Sequence, residues 1–128
     1  MTIALWCVLA GAFLPLIWTG YAKFTGTGFG PRENHNPREF LETLTGGRKR
    51  AQWAAMNSHE AFPVFAAAVI IATHLGKMDP AQLNALALGW VGLRLVYGVL
   101  YIADRAELRT LTWAGAIACW VAMFVLSA

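Results

Sequence analysis

The stretch Arg50–Leu75, RAQWAAMNSHEAFPVFAAAVIIATHL, decides the reading of this chain. From Ala51 onward it is long enough to cross a bilayer, because about 20 mostly apolar residues span a hydrocarbon core of ~30 Å. Yet it carries an amide, an imidazole and a carboxylate, at Asn57, His59 and Glu60. A carboxylate at that depth costs at least about 2.5 kcal/mol on insertion scales, so Glu60 is expected to face protein or water and to have a partner.

Working outward, three more apolar segments can be drawn, giving spans near 2–22, 51–75, 81–103 and 110–128. With 58% hydrophobic and 13% charged residues, the 128-residue chain departs from the balance of a soluble domain. One domain over 1–128 is expected, an all-α integral membrane protein built as a bundle of four transmembrane helices. The first segment lacks the basic start of a secretory signal and runs on past Trp18 and Tyr21, so it reads as a retained span, kinked at Pro15. Lys and Arg crowd the first and third loops, whereas the second holds only Lys77. This predicts those two loops in the cytoplasm and both termini on the other side. The net charge of +3 is therefore a topology signal. No basic face interleaved with aromatic residues points to nucleic acid.

In the first loop, Asn36-Pro37-Arg38-Glu39 reads as a helix start with a capping box, Phe40, Leu41 and Leu44 as its apolar side, and Gly46-Gly47 as its end. That predicts a short amphipathic helix at the membrane interface, or else a solvated connector. Arg48, Lys49 and Arg50 follow, a cluster suited to anionic head groups. Arg50, at the start of the span, is also placed to reach an anionic ligand. Cys7 and Cys119 read as separate buried thiols with no metal-ligand spacing around them. His59 and His74 lie at different depths and form no metal set.

The third span carries Arg94 among apolar residues. Helices two and three run in opposite directions, so their residues can be compared by depth. Glu60 lies ten residues inside Arg50 and Arg94 ten inside Asp104, so both sit about 15 Å from the cytoplasmic ends. Asn57 and Tyr97 are likewise level at about 10 Å. Asn57 and Glu60 share one helix face, as do Arg94, Tyr97 and Tyr101, so the two stripes can oppose each other. A buried Glu60–Arg94 brace is one reading. A slot for a polar, anionic molecule is the other, and the hydroxyl and amide groups continuing toward the cytoplasm favour it. Arg109, closing the loop Asp104–Arg109, is an interface anchor or a ligand contact. Ala114, Gly115, Ala116 and Ala118 let a neighbouring helix approach the last span.

Asn57-x-x-Glu60-x-x-Pro63 after Arg50-Ala51-Gln52, with Arg94-x-x-Tyr97-x-x-x-Tyr101 and then Arg109, resembles the MAPEG family of membrane-associated proteins in eicosanoid and glutathione metabolism. The likeness covers nearly the whole chain and lies toward the family's bacterial branch. It implies a homotrimer in a bacterial inner membrane, with glutathione as co-substrate held between subunits near the cytoplasmic face. By position, Asn57 and Glu60 would bind the tripeptide's polar backbone and amino group, and Arg94 would support Glu60 or the ligand. Tyr97 and Tyr101 would bind glutathione, Arg50 would hold a carboxylate, and Arg109 would stabilise the thiolate. Two departures stand out. Trp53 replaces an arginine that many relatives carry four residues before the asparagine, and aligning Arg109 needs a shift of about one residue after Tyr101.

The resemblance implies a glutathione-dependent transferase or peroxidase acting on lipophilic electrophiles or hydroperoxides in contact with membrane lipids. Catalysis would fall to Arg109, Tyr97 and Tyr101. Two other classes compete. One is a non-catalytic trimer that binds glutathione or a similar anion, or serves only as a structural membrane protein. The other is a small transporter with Glu60 and Arg94 lining a path, disfavoured because no pair of broken helices is visible.

Overall fold

The computed structural model describes all 128 residues and is wholly helical. Five α-helices run in order: α1 (Ile3–Phe24), α2 (Pro37–Thr43), α3 (Gly46–Leu75), α4 (Pro80–Ile102) and α5 (Ala106–Leu126). A single 3-10 turn, Glu33–His35, precedes α2. All but α2 are long and apolar enough to cross a membrane. Burial inside the chain covers a third or less of the most apolar stretch of each, and 11% for α5. Large apolar side chains such as Trp6, Phe13, Ile70, Leu111 and Val125 therefore stand exposed, as a lipid-facing surface requires.

The helix ends follow local chemistry. Thr2 caps α1, accepting from the Leu5 amide, and Asp79 caps α4 through the Gln82 amide with Pro80 at the first helical position. Gly76 closes α3 in the left-handed conformation at φ 63°. Asn84 of α4 accepts from the Ala4 amide at 2.9 Å, tying the start of α1 to its neighbour. The helix α1 is unbroken through the buried Pro15.

Three expectations change at the first loop. Gly46 and Gly47 do not end the short helix. The chain turns at Leu44, and these glycines open α3, with Gly46 at φ 59°, a conformation that suits a residue without a side chain. The second spanning helix thus starts five residues before Ala51. Asn36 makes no capping bond with its side chain, although Pro37 does begin α2. Arg48 and Lys49, read as head-group contacts, turn inward. Arg48 donates to the carbonyls of Ala22 (2.8 Å), Lys23 (3.0 Å) and Thr27 (3.0 Å). Lys49 Nζ donates to those of Leu41 and Glu42, both at 3.1 Å. The final carbonyls of a helix lack partners and carry the negative end of its dipole, and these cations supply both needs for α1 and α2.

The main core lies between α1, α3, α4 and α5, and in it Phe65 and Trp90 stack with ring centroids 3.8 Å apart. Nearer the loop end, Trp18 packs on Ala54 and Ala55 and directly over Gly98. A β-carbon on Gly98 would lie 2.1 Å from that indole, so this crossing requires glycine. Cys7 is buried, Cys119 is half-buried, and both are free thiols.

Candidate functional site

Arg94 is the deepest charge in the chain, 1% exposed in the middle of α4. Its Nη2 donates to Asn57 Oδ1 at 2.9 Å and to Ser58 Oγ at 3.3 Å on α3. The Asn57 amide then donates to Glu60 Oε2 at 3.3 Å. The acid and the base expected to pair directly are therefore linked through Asn57. The reason is helical geometry. At about 100° per residue, Glu60 stands some 160° around α3 from the buried Ser58, while Asn57 stands about 100° from Ser58 and 60° from Glu60. A guanidinium held at Ser58 can reach Asn57 but not Glu60, whose carboxylate stays on the exposed face. Ser58, which the sequence reading passed over, also donates to the Ala54 carbonyl at 2.8 Å. Its spacing one turn after Ala54 was the available signal.

The aromatic half of the stripe is assembled as expected. Tyr97 is 5% exposed, and the Arg94 guanidinium carbon lies 4.2 Å from its ring centre. Tyr97 and Tyr101 meet edge to face at 5.6 Å and 82°. Over Tyr101, also at 4.2 Å, lies the guanidinium of Arg109. Arg109 is not in a loop. The connection after α4 is only three residues, because Asp104 turns the chain at φ 59°, and Arg109 sits in the first turn of α5. Arg50 is drawn to the end of α4, its Nε donating to the Ile102 carbonyl at 3.1 Å.

Trp53, Met56, Asn57, Glu60, Tyr97 and Tyr101 line an open groove of about 450 Å³ between α3 and α4. That volume suits a small organic ligand. Its floor offers one carboxylate, one amide and two phenolic hydroxyls, and the buried Arg94 holds the amide from behind. On the other side of Met56 a second cavity of about 500 Å³ is lined by Lys23, Arg38, Glu42, Gln52 and His59, among others. No three His, Cys, Asp or Glu side chains converge as a metal site.

A family model described as the MAPEG family matches residues 3–128. No curated protein and no solved structure matches the chain.

Proposed function

The chain belongs to the MAPEG family, and from that premise we propose a glutathione-dependent membrane transferase or peroxidase acting on lipophilic electrophiles or hydroperoxides. The observation that carries this reading is the groove itself, where Glu60, Asn57, Tyr97 and Tyr101 converge beside a buried arginine inside an apolar bundle. Nothing in lipid needs such a set, whereas a peptide with an ammonium, amides and carboxylates does.

In this reading Glu60 takes the ligand's ammonium and Asn57 its backbone. Arg94 fixes the Asn57 side chain, which leaves one orientation of its amide for the ligand. A free thiol of pKa about 8.5 is mostly protonated at neutral pH, and a fixed cation or a hydroxyl donor raises its thiolate fraction. Arg109 and the Tyr101 hydroxyl supply these at the groove's edge, and Arg50 lies near the same helix ends for a carboxylate. The protein contributes position and electrostatics, with no covalent intermediate.

The groove is open along one side, which fits completion by a neighbouring copy in a homotrimer. The charged cavity of Lys23, Arg38 and His59 would then face it. The basic loops would lie in the cytoplasm, with both termini opposite. Trp53 favours a second reading, a trimer that binds the tripeptide without efficient chemistry, since an indole offers no charge for a carboxylate. Stopped-flow absorbance of purified protein in detergent separates these. Saturable glutathione binding with thiolate formation is expected. Binding without thiolate supports the second reading, and no binding at millimolar glutathione refutes both.

A further inference from the structure

We infer that Ser58 is a positioning residue for the α3–α4 groove, fixing through Arg94 which end of the Asn57 amide faces the ligand. The inference rests on the glutathione reading above and adds a residue that acts on recognition without touching what is bound. Ser58 is 1% exposed and does not line the groove. Its hydroxyl, like any other, has one proton to give and two lone pairs. The proton goes to the Ala54 carbonyl at 2.8 Å, one turn back on α3. Toward Arg94 the oxygen can therefore only accept, and it takes an N–H from Nη2 at 3.3 Å. A serine bonded to the carbonyl four residues back slightly destabilises a helix, and Ala54 and Ala55 show that alanine suits this side of α3. The use of the hydroxyl thus lies in its second bond.

The other N–H of Nη2 goes to Asn57 Oδ1 at 2.9 Å, so each proton on this nitrogen has its own acceptor on α3. The Tyr97 ring lies on the guanidinium, 4.2 Å from its carbon, and Nε has no partner. Ser58 is therefore the second of two points that hold the guanidinium in place over that ring. With Asn57 alone it can pivot about the remaining bond. The consequence reaches the groove because an amide has two unlike ends. With its oxygen taken by Arg94, Asn57 turns its nitrogen to Glu60, donating to Oε2 at 3.3 Å. Turned over, the amide would set N–H against N–H at Arg94 and oxygen against oxygen at Glu60. As held, it keeps one further N–H for the groove that Asn57 and Glu60 both line. A donor beside a carboxylate matches a ligand that carries an acceptor beside an ammonium.

The test uses the full chain in detergent and reads glutathione Kd for wild type, Ser58→Ala, Ser58→Thr, Asn57→Ala and the Ser58→Ala/Asn57→Ala double variant. Interhelical bonds of the strength found in membranes predict that Ser58→Ala weakens binding about three- to tenfold. Threonine keeps a hydroxyl that can bond the carbonyl one turn back, so Ser58→Thr should recover most of the loss. In the Asn57→Ala background the Ser58 change should add nothing, because its effect runs through that amide. Equal affinity of wild type and Ser58→Ala, or additive losses in the double variant, would overturn the inference. A second arm needs no ligand. The chain has four asparagines, so selective ¹⁵N-asparagine labelling resolves the side-chain amide of Asn57 as the signal missing from Asn57→Ala. Ser58→Ala should speed hydrogen exchange of that amide several-fold and leave that of Asn84, which is tied to the Ala4 amide instead, unchanged. Unaltered exchange at Asn57 again overturns the role of Ser58. Absence of glutathione binding by the wild type would instead strike the function reading, with the exchange rates still reporting whether Ser58 holds the amide.

Discussion

Removing the bridge between Arg94 and Asn57 tests the centre of the site. Arg94 is 1% exposed, its Nη2 is bonded to Asn57 and Ser58, and its Nε has no partner. Hydrogen bonds to charged groups contribute about 1.5–3 kcal/mol in soluble proteins. Interhelical bonds inside membranes average about 0.6 and reach about 1.7 kcal/mol, because the unfolded chain in lipid also finds partners. Here the donor is a cation whose Nη2 has one N–H for each acceptor, but the site lies in a membrane bundle, so a coupling between these limits, about 1–2 kcal/mol, is expected. The assay is a double-mutant cycle with Asn57→Ala and Arg94→Met, read as equilibrium unfolding in mixed micelles at fixed protein concentration. Arg94→Met alone should destabilise clearly, while Arg105→Ala, in the exposed turn, should stay within about 0.5 kcal/mol. A coupling below about 0.3 kcal/mol, or equal effects of the Arg94 and Arg105 changes, would refute the assignment of Asn57 as the link.

Two further outcomes follow from the packing. Gly98→Ala drives a β-carbon into Trp18 and should cost about 1–3 kcal/mol in thermal stability, whereas Gly20→Ala, with open space around it, should cost nothing; Trp18→Leu should relieve the Gly98 variant. Arg48→Ala strips two carbonyls at the end of α1 and that of Thr27 in the following loop of their cation and should speed proteolysis within residues 25–32 several-fold. Arg48→Lys should recover little, since one ammonium cannot span the three carbonyls as a planar fork does.

The spans were legible because their signal is local. Length and apolarity mark α1, α4 and α5. Arg94 was singled out for the same reason, as a charge where the surrounding sequence is apolar. Gly46-Gly47 misled because glycine serves equally to end one helix and to begin the next, and only the packing of α3 against α1 decides between them. Arg48 likewise reads as any surface cation until the fold brings the end of α1 within reach.

Sequence spacing by itself set Glu60 level with Arg94 and Asn57 level with Tyr97 on two antiparallel helices, since rise per residue is fixed by the backbone. Which of them touch was a matter for the tertiary structure, because contact depends on how far each helix is rotated about its own axis. That rotation is set by Trp18 seating on Gly98 and by Phe65 stacking on Trp90. It turned Ser58 and Asn57 toward the arginine and left the Glu60 carboxylate facing the groove.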